Sequence, residues 1–111
     1  MFEKNLNVGY LLDFYGDILP ERKRSVMDMY YNEDFSLAEI AAEIGISRQG
    51  VRDIIKKSED ELFFYEEKLG LAKKLKNAFE AVERLEETTS ELSLPDKFYS
   101  DFSELKKIIS Q

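Results

Sequence analysis

Arg48, Gln49 and Arg52 are the residues of this chain whose types and spacing best suit a chemical task, and the task is recognition. Arg can grip guanine, and Gln adenine, through paired hydrogen bonds in the major groove of a duplex. Lys56 would extend the set one turn further. Arg22, Lys23 and Arg24, three cations in a row, could add phosphate contacts that position a duplex without reading it. All seven have a plainer reading as solvated helix surface, and Asp53 with Lys57 makes a favourable i, i+4 pair that needs no ligand.

Catalysis has less to work with. The chain has no His and no Cys, which removes thiol chemistry, a disulfide framework and zinc sites built from those ligands. It has no Gly-rich phosphate loop and no nucleophile elbow. The carboxylate pairs Glu66–Glu67 and Glu86–Glu87 are sequence neighbours, so on a helix they point in different directions. The expectation is a non-enzymatic protein with no catalytic residues, no cofactor and no metal.

The element that must position Arg48, Gln49 and Arg52 is Ser36 to Leu62, which reads as two helices joined by a tight turn. The first is expected over Ser36 to Glu43, with Ser36 as N-cap, Glu39 completing a capping box, and Phe35 placed to staple to Ile40. The second starts at Ser47, with Ile46 placed to staple to Val51 and Gly50 at the capping-box position. Between them Gly45 can supply the positive φ that ends the first helix, giving the layout of a helix-turn-helix. On the second helix Val51, Ile54, Ile55, Ser58, Leu62, Tyr65 and Leu69 gather on one side. Arg48, Gln49, Arg52, Asp53 and Lys56 fall on the other.

Around this motif the pattern is helical throughout. Residues 4–19 carry Leu11, Phe14, Tyr15 and Ile18 on one face, with Gly9 and Gly16 as weak points. Pro20 suits the first position of a helix reaching about Asn32, whose core face holds Val26, Met29 and Tyr30. After the motif nothing interrupts the long helix before Gly70. There a second register of Leu71, Leu75, Ala78, Val82 and Leu85 begins out of phase with the first, so a break is expected at Gly70. Thr88 to Leu94 reads as a linker, and a last helix from near Pro95 carries Phe98, Phe102, Leu105 and Ile109. The fold class is all-α, with roughly six helices and an extended recognition helix. Residues 1–69 form the helical domain around the motif (36–62). Residues 70–111 form a C-terminal helical extension packed on it or on a second subunit, the whole making one structural unit.

Leu71, Leu75, Ala78, Val82 and Leu85 step by four and three, the spacing of a coiled-coil seam. They are the candidate interface of a homodimer, with an intramolecular core as the plainer reading. Phe63, Phe64 and Tyr65 cannot share one face of a helix, which points to an aromatic contact with another element or subunit. No apolar run approaches the roughly 18 residues of a membrane span, and the first residues lack the basic-then-apolar order of a signal peptide. A cytoplasmic protein with no membrane partner is expected.

At 111 residues and net charge −7, the chain is a poor candidate for indiscriminate nucleic-acid binding, which depends on neutralising phosphates. The charge is uneven: residues 1–19 carry −2, residues 20–57 carry 0, and residues 58–111 carry −5. A DNA binder of this composition must gather its cations on one surface and keep the acidic third away. An acidic protein that docks on a basic partner need not.

Glu39 to Leu62, EIAAEIGISRQGVRDIIKKSEDEL, resembles the helix-turn-helix of region 4 of bacterial sigma factors. Together with YLLDFYGDIL before it, MYYNEDFSLAEIA overlapping its start and FFYEEKLGL after it, covering at least residues 10–71, the chain resembles the YlxM family of small bacterial proteins. That resemblance implies an all-helical cytoplasmic protein with a sigma-region-4-like motif. It also implies a regulatory or accessory role in the signal recognition particle pathway, because the family's gene neighbours those of the particle's GTPase and its receptor. The implied partners are DNA or the particle's protein or RNA; the alternative is a sequence-specific transcriptional regulator unrelated to the particle. By position the reading side chains would be Arg48, Gln49, Gly50, Arg52 and Asp53. Gly50 and Asp53 depart from what a DNA reader needs, one having no side chain and the other a negative charge.

Overall fold

A computed structural model describes Lys4 and residues 6–110, with Leu6 described in its backbone alone. Asn5, in the first turn of the expected N-terminal helix, lies outside the described residues, as do positions 1–3 and 111 of the expected domains. The described residues are helical and contain no strand. The order is α1 (Leu6–Tyr15), a 3-10 turn (Gly16–Ile18), α2 (Glu21–Tyr31), α3 (Leu37–Ile44), α4 (Arg48–Leu69), α5 (Leu71–Thr89) and α6 (Asp96–Ser110). They divide into two compact units, 1–70 and 71–111.

In the first unit α4 packs against α1, α2 and α3, and α2 against α3. The core is built on α4, whose Val51, Ile55 and Leu62 are buried together with Val8, Leu11, Leu12 and Tyr15 of α1, Val26, Met27, Met29 and Tyr30 of α2, and Ile40 and Ala41 of α3. Ser58, on the same face of α4, is fully buried and donates its hydroxyl to the Ile54 carbonyl at 2.7 Å, which satisfies a polar group inside the core. Leu69, expected on this face, is exposed instead, since it belongs to the last turn before the chain leaves the helix.

The expected helix over residues 4–19 is shorter. At Gly16 it tightens into the 3-10 turn, and a Cβ there would sit 2.8 Å from the Cζ of Arg24. The missing side chain is what lets Arg24 lie across the turn. Pro20 precedes α2 as its N-cap, one place before the position expected of it. Asn32 to Phe35 fold back on the end of α2, with Phe35 N–H donating to the Met29 carbonyl at 2.9 Å. Asp34 sits there with φ +57, a left-handed conformation that Asp tolerates better than most residues.

In the second unit α5 and α6 pack as a hairpin. Lys106 of α6 pairs with Glu86 of α5 at 2.9 Å, and the Tyr99 hydroxyl donates to the Leu92 carbonyl at 2.5 Å and the Thr89 carbonyl at 3.2 Å. These contacts fall at the C-terminal end of α5. The expected linker from Thr88 begins later, because Thr88 and Thr89 donate back to the Arg84 and Leu85 carbonyls and hold one more turn of helix. Ala72 and Val82 are the buried apolar residues of this unit, and α6 has none.

Candidate functional site

The helix-turn-helix is built as its caps require. Ser36 Oγ accepts from Glu39 N–H at 3.0 Å while the Glu39 carboxylate accepts from Ser36 N–H at 3.0 Å, a closed capping box. The backbone N–H of Ser36, and after it the Ser36 hydroxyl, hold the Glu39 carboxyl below its ordinary value. Gly45 ends α3 with φ +76, and its N–H reaches the Ala41 carbonyl at 2.9 Å. Ser47 Oγ then accepts from Gly50 N–H at 3.0 Å and starts α4.

Gly50 has a structural role here. A Cβ at that position would lie 3.2 Å from Ile46 Cδ1 and 3.3 Å from Ser47 Oγ, so its absence makes room for the turn's apolar residue and the cap. Position 50 is therefore a packing position, and the readers available on α4 are its neighbours. Arg48, Gln49, Arg52 and Lys56 are all exposed on the first two and a half turns. The Arg48 side chain has no hydrogen bond or ion pair among the described residues. Gln49 donates to Asp53 Oδ1 at 3.1 Å, and Lys56 pairs with Asp60 at 3.2 Å. Asp53 thus faces Gln49, one turn back, where Lys57 was the expected partner.

The second basic run divides. Arg22 is exposed, beside an open hollow of about 540 Å³ lined also by Glu21, Ser25, Val26 and Ile44. Lys23 pairs with Glu61 of α4, and Arg24 pairs with Asp17 at 2.9 Å and Asp28 at 3.0 Å. Asp28 foremost holds the Arg24 guanidinium above its ordinary range. Two of these three cations thus tie α2 to its neighbours.

Lys23 belongs to a set of contacts that the sequence pattern did not single out. Tyr31 Oη donates to Glu59 at 2.5 Å and Tyr15 Oη to Glu66 at 2.7 Å, while Lys23 donates to Glu61. Three carboxylates in the second half of α4 are therefore acceptors for α1 and α2. The available signal was the seven-residue step from Glu59 to Glu66, two turns along one face. Nearby, burial pushes the Tyr30 phenol above its ordinary value, against the opposing effect of Lys4, whose ammonium lies 4.9 Å from the ring centroid.

Of the aromatic triplet, Tyr65 turns inward, 6.0 Å from the Tyr15 ring, whereas Phe63 and Phe64 are 43% and 54% exposed. Of the five candidate interface residues on α5, Val82 is buried, Leu75 and Ala78 are half-buried, and Leu71 and Leu85 are exposed. Among the described residues no group of three acidic side chains is placed to hold a metal ion, and no helix is long and apolar enough to cross a membrane.

The chain is similar to small proteins of several bacteria. It is 49% identical over 77 residues to the UPF0122 protein of Caldanaerobacter subterraneus subsp. tengcongensis, covering 69% of this chain and 66% of that one. It is 47% identical over 87 residues to that of Halalkalibacterium halodurans, covering 78% and 80%. With the protein of Bacillus velezensis the identity is 42% over 106 residues, covering 96% of each. The family profile matches residues 2–103, nearly the whole of both units. With two capped helices and a left-handed glycine turn at its centre, the chain belongs to the UPF0122 family, the helix-turn-helix proteins described as YlxM / p13 like.

Proposed function

We propose that this chain is a regulatory binding protein that presents the first two and a half turns of α4 to nucleic acid, in the signal recognition particle pathway to which the family resemblance points. The nucleic acid is a DNA site or the particle's RNA. The observation that carries this reading is the sorting of charge along α4. Arg48, Arg52 and Lys56 are exposed in its first half, while Glu59, Glu61 and Glu66 in its second half are taken up by Tyr31, Lys23 and Tyr15. Of these three acids only Glu61 meets a cation, tyrosine hydroxyls being neutral donors, so the sorting keeps the carboxylates turned toward α1 and α2 and leaves the cations toward solvent, where phosphate would approach. Asp53 remains on the exposed face, bonded to Gln49, and an accepting carboxylate there suits a cytosine amino group better than a guanine edge.

A second reading, docking on the particle's protein component, is favoured by Phe63 and Phe64, two exposed aromatic rings on α4 of the kind enriched at protein interfaces. A mobility-shift titration against duplex DNA and against the particle's RNA, at several salt concentrations, separates these readings. The expected result is retention that weakens steeply with salt and drops at least about tenfold in Arg48→Ala/Arg52→Ala, since each base-gripping arginine contributes about 1–3 kcal/mol. A folded protein that retains neither nucleic acid at low salt overturns the reading. DNA retained without RNA moves it to a transcriptional regulator outside the particle.

A further inference from the structure

We infer that α5 is a self-association helix, which packs antiparallel against the α5 of a second copy across a two-fold axis passing near Ala78. Three features of α5 point to this. Leu71 and Leu85 are 42% and 55% exposed. They stand seven residues on either side of Ala78, on the same stripe of the helix, about 21 Å apart at 1.5 Å per residue. A two-fold axis through Ala78 sets Leu71 of one copy against Leu85 of the other, twice, with the small Ala78 where the helices approach. Self-complementarity of this kind is what an isologous interface requires.

The charges set the direction. Lys73, Lys74 and Lys76 crowd the first turns of α5, and Glu80, Glu83, Glu86 and Glu87 its later ones, where Arg84 and, from α6, Lys106 on Glu86 are the cations. In an isolated helix both groups oppose the macrodipole, whose N-terminus favours anions and whose C-terminus favours cations. Beside an antiparallel copy both become favourable, since the lysines of one lie along the acidic, negative end of the other. A parallel pair would set like charges against like.

Area gives the reason for a partner. The second unit spans about 41 residues, near the size at which a chain needs oligomerisation or a cross-link to hold a core, and its buried apolar residues are Ala72 and Val82. Since Val82 is already covered within the chain, the strip left for the second copy is Leu71, Ala78 and Leu85, narrower than the five-residue seam the heptad spacing predicts.

The absence of native cysteine makes the geometry testable by cross-linking the full chain. Ala78→Cys should form a disulfide-linked dimer on mild oxidation, because the axis brings the two sites within the roughly 4.4–6.8 Å that a disulfide spans between Cα atoms. Leu71→Cys and Leu85→Cys chains should each form no disulfide alone and cross-link when mixed, whereas parallel pairing would cross-link each with itself. In sedimentation equilibrium the wild type should be a dimer and Leu85→Glu a monomer with unchanged helicity. A wild type that is monomeric at high micromolar concentration overturns the inference. So does a dimer in which Ala78→Cys fails to cross-link, a result that stands even if the glutamate variant does not fold.

Discussion

α4 and α5 are close in length, 22 and 19 residues, and both carry apolar residues in steps of three and four. Within its own unit, however, α4 lies against three helices and α5 against one. Val51, Ile55, Ser58 and Leu62 of α4 are consequently sealed from solvent over three turns, while α5 keeps Leu71 and Leu85 exposed. The polar residues follow the same division. Three carboxylates of α4 serve as acceptors for Tyr15, Lys23 and Tyr31 from other helices, whereas among the described residues α5 offers Glu86 to Lys106. One sequence pattern therefore serves two purposes, a core in the first unit and an open stripe in the second. What separates them is how many elements the topology brings alongside.

Four substitutions would break or sharpen that contrast. Leu62→Ala, at a fully buried position, should cost about 2–5 kcal/mol in urea unfolding followed by circular dichroism. A much smaller loss would mean that the first unit is not sealed. Ser36→Ala removes the N-cap of α3 and should cost about 1 kcal/mol. Part of that contribution depends on pH. Since the Glu39 carboxyl is held below its ordinary 4.5 in the folded protein, its stabilisation is present above that value and is lost as pH falls through the folded one. Glu39→Gln should flatten this part of the profile. Leu105→Ala, at a position of α6 that is 43% exposed, should fall within about 0.5 kcal/mol of wild type. A cost near that of Leu62→Ala would show that the second unit has a sealed core after all.

The caps and turns were legible in the sequence because they are local. Ser36 with Glu39, Gly45, Ser47 and Gly70 each mark a boundary through backbone chemistry that a few neighbouring residues determine, and the observed ends fall on or beside them. Contacts between distant segments were not legible. Arg24 lies over Gly16, Lys23 reaches Glu61, and Tyr31 reaches Glu59, none of which follows from periodicity along one helix. The same limit applied to the site. Arg48, Gln49, Arg52 and Lys56 could be named from their place on the second motif helix. That Gly50 makes room for Ile46, and that two of the three cations at 22–24 are spent on ion pairs, required the packing of the turn and of α2.

The two glycines that end α3 and α4 differ from Gly16 and Gly50 in a way that matters for redesign. Gly45 at φ +76 and Gly70 at φ +62 have nothing within 4 Å of where a Cβ would stand, so the constraint at both is handedness and not room. A d-alanine, introduced by chemical synthesis, satisfies both the torsion and the space. It should tighten the unfolded chain and stabilise the protein by up to about 1 kcal/mol at each site, where l-alanine would strain it.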